Sequence, residues 1–247
     1  WLINTRYDIS GNTMVYASVA TVSMSGGLNT TNGSPDEREF DDEDTTNYEI
    51  GIKSTMLDAR LRVNATIFYT EVDDLQFQQQ QESGIGQVVA NEAEVETSGM
   101  DLEIQALPLP NLTLGASLLY MDKYEITSGP RDGDDLGFVA EYSYNLNATL
   151  VFPLLDGGVY LRTDYSYMDD HLTSSTSAPS DRDMQNREDL NAKLGWRNER
   201  WNVSVWGRNL TDDEYAQVTL ATYPWTSMDA QFLVPPRTYG ATLRYEF

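Results

Sequence analysis

The chain has 247 residues, with 16 lysine and arginine against 39 aspartate and glutamate side chains and no cysteine. The formal net charge of −23 argues against nucleic-acid binding, since a nucleic acid is itself a polyanion, and the missing cysteine excludes disulfides, thiol catalysis and cysteine-ligated metals. A mean hydropathy of −0.47 and the lack of any apolar run near ~18 residues exclude a helical membrane protein, but not a membrane β-barrel.

Alternating side chains predict about eleven strands along the chain. The connections between them are of two kinds. Short turns occupy residues 10–12, 57–60, 108–111, 155–158 and 197–200, and longer polar connections occupy 26–46, the tip at 83–86, 126–137, 169–186 and 211–236. The two kinds alternate strictly. An outer-membrane barrel has this pattern because its short turns lie in the periplasm and its long loops outside the cell.

Two of the predicted strands are longer than the strands of globular proteins. Residues 60–73 and 111–124 each form an alternating run of about fourteen residues, where globular strands average about 5 to 6 and a tilted membrane strand needs ~9 to 11. Strands of this length cross a bilayer and project beyond it. The sequence therefore favours an all-β, transmembrane antiparallel β-barrel over a soluble sandwich.

The segment after the last short turn separates two faces. Trp201, Val203 and Val205 share one face, and Ser204 with its alternate neighbours shares the other. We expect Val203 to meet lipid and to reject arginine, and Ser204 to line a lumen and to tolerate it. Trp196 and Trp201 bracket the turn, as in the aromatic girdle of a membrane interface.

The chain ends in an alternating strand whose last residue is Phe247. Aromatic and apolar side chains share one face of this strand and polar side chains the other. Such an ending resembles that of bacterial outer-membrane barrels, whose C-terminal aromatic residue is read by the assembly machinery. With eleven strands, the first and the last run in the same direction, so we expect that this polypeptide alone does not close into a barrel.

Four segments carry a more specific pattern. They are residues 47–54 (NYEIGIKS) with 61–69 (LRVNATIFY), residues 91–93 (NEA) with 97–103 (TSGMDLE), residues 205–215 (VWGRNLTDDEY), and the ending PRTYGATLRYEF. Together, in this order and across nearly the whole chain, they resemble the TonB-dependent outer-membrane receptors. These motifs are structural: we expect Gly51 and Gly99 to permit close approach inside the wall, and Asn209 to tie down a strand end.

The resemblance implies a larger protein than this chain. A member of the family has a periplasmic N-terminal box that contacts TonB, a plug domain and a barrel of twenty-two strands. Residues 1–247 are then about eleven C-terminal strands, the C-terminal half of the barrel. The plug domain and the N-terminal half of the barrel are absent from this chain.

The resemblance also implies an activity. It predicts an active transporter of the bacterial outer membrane that takes up a scarce small-molecule nutrient, above all a ferric siderophore or other iron complex. The implied partners are the TonB-ExbB-ExbD energy-coupling system through the missing N-terminal part, the barrel assembly machinery through Phe247, and lipopolysaccharide with other outer-membrane lipids. Two alternatives stay open, an autotransporter-type translocator barrel and a passive porin.

Two clusters raise the question of an enzyme or a metal site. His171 lies beside Asp169 and Asp170 with Ser174 and Ser175 close by, the ingredients of an outer-membrane lipase. Neighbours in a polar loop rarely converge as a triad, so we expect no catalytic residue. Residues 132–135 (DGDD) suggest calcium, but their spacing is not that of an EF-hand, so we expect a solvated acidic loop, no metal site and no cofactor.

Ligand contacts are predicted in two outer loops. Phe77 and Gln79 lie near the tip of a hairpin, and Tyr223, Trp225 and Met228 lie in the last loop. Aromatic and amide side chains suit a siderophore, a glycan or a cobalamin equally. The pattern therefore predicts where a ligand binds and leaves its identity open.

Overall fold

The structure is a computed structural model that describes residues 1–29, 38–80, 87–173, 184–221 and 229–247. The all-β prediction is confirmed. The strands are β1 (Leu2–Ser10), β2 (Thr13–Met24), β3 (Gly27–Leu28), β4 (Glu39–Phe40), β5 (Glu43–Met56), β6 (Leu61–Gln80), β7 (Gln87–Leu109), β8 (Leu112–Ile126), β9 (Tyr142–Leu154), β10 (Gly157–Leu172), β11 (Met184–Arg197), β12 (Trp201–Arg208), β13 (Ala216–Ala221), β14 (Asp229–Leu233) and β15 (Thr238–Tyr245).

One antiparallel sheet of eleven strands forms the wall of a partial barrel. Its order is β1-β2-β5-β6-β7-β8-β9-β10-β11-β12-β15, so neighbours in the sheet follow one another along the chain. The predicted number of strands is confirmed. The two edge strands, β1 and β15, run in the same direction because the number of strands is odd.

The predicted alternation of short and long connections is confirmed where the structure describes them; the predicted tip at 83–86 lies outside the described residues. The short turns lie at one end of the sheet, which we call the turn end, and the long connections lie at the other, the loop end. Two of the long connections contain hairpins that the sequence pattern did not predict, β3–β4 and β13–β14. In the described ranges, no helix has the length and apolar character needed to cross a bilayer.

The β6–β7 hairpin is the longest, with strands of 20 and 23 residues. The sequence pattern predicted that the first of these strands spans residues 60–73. In the structure the register shifts between Val72 and Leu75, and Asp74 adopts a left-handed φ of 57°. This bulge absorbs the extra residue, so the pairing resumes and continues to Gln80.

The two faces of the sheet differ in chemistry. Large apolar side chains are exposed on one face, which we call the outer face; they include Ile50, Ile67, Leu146, Leu161, Leu194, Val205 and Leu243. The opposite, inner face carries polar and charged side chains on the same strands. Exposed apolar residues on one face of these seven strands are what a lipid-facing barrel wall requires.

Candidate functional site: the inner wall

A cavity of the inner face lies across β9, β10, β11, β12 and β15. Its volume is about 720 Å³, and four basic side chains line it: Arg162, Lys193, Arg197 and Arg208. Cross-strand pairing brings them together, because Arg162 pairs with Lys193 and Lys193 with Trp206. We call this site the inner-wall cavity. A cavity of this volume is large enough for a small molecule.

Aromatic rings hold three of these cations. Lys193 Nζ lies 6.0 Å and Arg197 Cζ 5.8 Å from the centre of the Tyr160 ring, and Arg208 Cζ lies 5.2 Å from that of Trp206. The Tyr160 hydroxyl donates a hydrogen bond of 3.1 Å to Asn202 Oδ1, which fixes the ring. Cation–π contacts orient a cation and leave its charge unneutralised.

Each ring in turn lies over a glycine of the next strand. Tyr160 pairs with Gly195, Trp206 with Gly240, and Tyr16 on β2 with Gly51. A Cβ atom at Gly195 or at Gly51 would lie 2.5 Å from the facing tyrosine ring, which is closer than any real contact. The glycines therefore make room for aromatic rings that lie flat on the wall, as expected for Gly51.

Gly99 meets a backbone atom as well as a ring. A Cβ there would overlap the carbonyl oxygen of Tyr120 and lie 3.0 Å from the Phe68 ring, because the register shifts between Ser98 and Gly99. The expected close approach at Gly99 is confirmed.

Ser204 differs from the prediction made for it. The alternation placed it on the lumen side, and it does lie on the inner face, but it is only 3% exposed. It pairs with Gly195, on which the Tyr160 ring lies, and Trp206 follows two residues later on the same face. Because Ser204 is buried, we now expect Ser204→Arg to destabilise the wall rather than to be tolerated.

A band of tyrosines marks the loop end of the outer face. Tyr142, Tyr144, Tyr165 and Tyr167 form a cluster on β9 and β10, with ring centres 5.3 Å apart for Tyr144 and Tyr167 and 5.8 Å for Tyr142 and Tyr167. On β5 and β6, Tyr48 and Tyr69 lie 6.2 Å apart. We call these residues the tyrosine band. It has the composition of an interfacial aromatic girdle.

Aromatic residues also occupy the turn end, as predicted from Trp196 and Trp201. Trp196 donates its indole N–H to the carbonyl of Leu154 at 3.1 Å, and the Trp201 ring lies 4.5 Å from that of Tyr245. Phe247 follows at 5.0 Å from Tyr245 and is fully exposed. The apolar part of the outer face thus lies between two aromatic belts.

Beyond the tyrosine band, the outer face becomes charged. Lys123 Nζ lies 2.6 Å from Glu96 and 2.9 Å from Glu125. The hydrogen bond from Lys123 lowers the pKa of Glu96 below its usual value. This change from rings to ion pairs marks the level at which the wall meets water.

The loops at this end are tied to the sheet by amide side chains. Asn29 Nδ2 donates to the carbonyl of Val89 at 2.8 Å, and Asn29 Oδ1 accepts from the Val89 N–H at 2.9 Å. Asn91 bonds in the same reciprocal way with the backbone of Asp41. These bonds attach the β3–β4 connection to β7.

Asn209 fastens the last long connection, as expected. It has a left-handed φ of 49° and is buried. Its Nδ2 donates to the carbonyls of Asp213 and Pro235 at 2.9 and 3.2 Å, and its Oδ1 accepts from the Asp213 N–H at 2.9 Å. One side chain thereby joins the end of β12, the following loop and the approach to β15.

The structure describes only some of the residues predicted to contact a ligand. The Phe77 side chain is half-buried, with its ring 5.4 Å from the Arg131 guanidinium of the 3-10 turn Gly129–Arg131. The backbone of Gln79 pairs with Val88, but its side chain is outside the described atoms. Tyr223, Trp225 and Met228 all lie outside the described residues. Their role in ligand binding stays a prediction.

The suspected hydrolase and calcium clusters have local explanations. His171 is buried, and its Nδ1 lies 2.8 Å from the carbonyl oxygen of Asp169; Ser174 and Ser175 lie outside the described residues. Asp134 pairs with Arg131 at 3.0 Å. Burial raises the pKa of Asp135, and the nearby carboxylates Glu125 and Asp134 raise it further. Over the described ranges, no group of three or more histidine, cysteine, aspartate or glutamate side chains is arranged to hold a metal ion.

The inner-wall cations were missed by the sequence analysis. Each lies at an inward position of its strand, but only the register between strands shows that they share one cavity. The alternation of side chains could have indicated them, because three successive strands each carry a basic residue on the same face of the sheet as Trp206.

Comparisons with known proteins agree with this architecture. The family model described as TonB dependent receptor-like, beta-barrel matches residues 2–210. Among solved structures, the chain is similar to the ferric yersiniabactin uptake receptor FyuA of Yersinia pestis, with 22% identity and a TM-score of 0.85 over 100% of this chain and 37% of that one. The siderophore receptor PiuA of Acinetobacter baumannii matches at 18% identity and a TM-score of 0.76, over 99% of this chain and 35% of its own.

A third similar structure, the copper transporter OprC, has 15% identity and a TM-score of 0.73, over 100% of this chain and 39% of its own. The chain therefore spans little more than a third of the length of the structures it resembles. The family model covers well over half of the chain. The chain belongs to the TonB-dependent receptor β-barrel family.

Proposed function

We propose that this chain is part of the wall of an outer-membrane active transporter that takes up a scarce metal complex, most simply a ferric siderophore. The observation that carries the proposal is the eleven-stranded sheet with an apolar outer face and a polar inner face, matched by the receptor-barrel family. A wall of this kind separates lipid from a polar interior. The names of the yersiniabactin and PiuA receptors support a siderophore as cargo.

In this proposal, residues 1–247 form the C-terminal half of a twenty-two-stranded barrel, and a plug domain and the other half of the barrel belong to the rest of the protein. Uptake is powered by the TonB-ExbB-ExbD system acting on that other part. Such a transporter differs from a passive porin because its plug blocks free passage through the barrel. It differs from an autotransporter because its loops bind a ligand and it secretes no passenger domain.

No catalytic step is assigned to the chain. The inner wall and the outer loops bind the ligand. The outer loops select it, through side chains that include Phe77, Gln79, Tyr223, Trp225 and Met228. Phe77 is the most testable of these, because its ring already contacts a cation, Arg131, of another loop. Phe77→Ala should weaken ligand binding by the full-length receptor, whereas Phe152→Ala, at the turn end, should leave it unchanged.

A deletion strain tests the transport function. Cells lacking the full-length receptor should lose accumulation of one radiolabelled iron complex, and expression of the receptor should restore it only when TonB is present. A matched uptake assay with copper addresses the second candidate cargo, which the similarity to OprC supports. Iron and copper accumulation that are both independent of the receptor would contradict the proposal.

Phe247 is proposed to act in assembly. Its side chain is fully exposed beyond the end of β15. Deleting Phe247 from the full-length receptor should lower the amount in the outer membrane while each inserted molecule transports normally. An unchanged amount in the membrane would contradict this role.

A further inference from the structure

The inner-wall cavity concentrates positive charge in an acidic protein. The whole chain carries a formal charge of −23, yet this cavity is lined by four cations and one carboxylate, Asp164. Arg162 is paired with that carboxylate at 2.8 Å. Within the described part of the chain, Lys193, Arg197 and Arg208 have no ion pair. The charge of these three side chains is therefore available to a ligand.

The same three cations are pre-positioned. Their contacts with the Tyr160 and Trp206 rings hold them against the wall, and the rings lie on Gly195 and Gly240. A long basic side chain on an open surface loses rotamer freedom when it binds, whereas one already ordered loses less. Cations that are ordered but unneutralised form a better anion site than free surface lysines do.

Neutral hydrogen-bonding groups complete the lining. Thr149 and Thr242 contribute hydroxyls, and Asn191 and Asn202 contribute amides. Guanidinium groups bind carboxylate and phosphate in a planar, two-bond geometry, and hydroxyls and amides satisfy the remaining oxygens. The volume of about 720 Å³ suits a molecule with more than one such group.

We propose that the inner-wall cavity is an oxyanion-binding site, for a ligand that carries two or more carboxylate or phosphate groups. This inference goes beyond the proposed uptake, because anion binding requires neither energy nor passage. The oxyanions have two possible sources, a small anionic solute or carboxylate side chains of the same protein inside the barrel. Both sources offer the same chemistry to Lys193, Arg197 and Arg208.

Calorimetry on the full-length receptor in detergent tests the site, with inorganic pyrophosphate and citrate as probes at low ionic strength. We expect saturable binding of at least one probe. The double variant Lys193→Gln/Arg197→Gln should bind it at least ~10-fold more weakly, since charge-assisted hydrogen bonds are lost. Lys123→Gln is the matched control, because Lys123 lies on the outer face between two carboxylates and should not affect binding.

A second variant leaves every charge in place. Gly195→Ala puts a Cβ 2.5 Å from the Tyr160 ring and should displace the ring with the two cations on it, which weakens probe binding. Gly51→Ala introduces the same clash under Tyr16, six strands away in the sheet, and should leave binding unchanged. If Gly195→Ala does not fold, the charge variants decide the question.

Melting temperatures separate the two sources. Probe binding that is lost in the double variant indicates a solute site. No probe binding by the native receptor, combined with a lower melting temperature of the double variant than of Lys123→Gln, indicates carboxylates of the protein itself. Either result supports the site. Probe binding that is unaffected by the double variant, or no binding with unchanged melting temperatures, overturns it, and neither result bears on uptake measured in cells.

Discussion

The two faces of the sheet bury their side chains in different ways. On the outer face, Leu161 and Val205 are 40% and 57% exposed although both pair with Leu194, as expected of a face that contacts lipid. On the inner face, Ser204 is 3% exposed, since aromatic rings cover the wall from within. The outer face therefore depends on its surroundings, and the inner face on its own packing.

The sharpest test of this contrast is a charge on each face. Leu161 lies between the two aromatic belts, because Val159 on the same strand pairs with Trp196 and Tyr165 belongs to the tyrosine band. Leu161→Arg therefore places a charge against lipid and should destabilise the full-length receptor in a bilayer by ~2 to 4 kcal/mol. Asn145→Arg, on the inner face of the adjacent strand, should change stability by no more than ~0.5 kcal/mol. Urea unfolding in lipid vesicles measures both, and equal effects would mean that the faces are assigned wrongly.

Inner packing is tested next, by adding one methyl group. Gly99→Ala must displace backbone at Tyr120 and should cost ~1 to 3 kcal/mol. Gly158→Ala is the control, because its nearest atoms, the Phe152 carbonyl oxygen and Val151 Cγ1, lie at 3.4 and 3.6 Å, an ordinary contact. The same unfolding measurement applies. A Gly99→Ala variant as stable as Gly158→Ala would show that the inner wall is more compliant than its contacts indicate.

The tyrosine band is a packed region of the outer face. Tyr144 and Tyr167 are stacked at 5.3 Å, so a double-mutant cycle with leucine at both positions should give a coupling energy of ~0.5 to 1.5 kcal/mol. The pair Tyr48 and Tyr167, whose strands β5 and β10 are not neighbours in the sheet, should show none. Coupling in neither cycle would mean that the outer face has no packing of its own even at the interface.

The smallest effect is expected at two serines. Ser204 Oγ is buried and makes no hydrogen bond to the described atoms, so Ser204→Ala should change stability by less than ~0.5 kcal/mol or raise it slightly. Ser54 Oγ lies 2.7 Å from Thr13 Oγ1, so Ser54→Ala should cost ~1 kcal/mol. If Ser204→Ala proves the more costly of the two, the inner-face hydroxyl has a partner after all.

Periodicity of two residues was enough to predict the sheet. It predicted eleven strands, the short turns at one end and the outward Trp201, Val203 and Val205, because a strand exposes alternate residues whatever surrounds it. The prediction ended where a backbone irregularity intervened. Asp74 interrupts the alternation with a bulge, so the extent of β6 and β7 could not be read from the pattern.

The inner wall was less predictable, because its features belong to pairs of strands. Tyr160 pairs with Gly195, which lies 35 residues after it in the sequence. The burial of Ser204 and the grouping of Lys193 with Arg162 depend on the same register. A sequence pattern states which side a residue faces, and only the register states what it meets there.

The common direction of β1 and β15 has a consequence in counting. A closed antiparallel wall needs an even number of strands, so any sheet that pairs antiparallel with both edges must itself contribute an odd number. A second copy of this sheet also has an odd number of strands. To pair antiparallel with both β1 and β15, however, the second copy would have to be inverted, because its own edge strands run in the same direction as each other. Its long loops would then lie at the end where the first copy has its short turns. One membrane admits only one of those orientations. In the proposed barrel, the sheet that completes this wall is therefore a different one, with an odd number of strands and with edge strands that run opposite to β1 and β15.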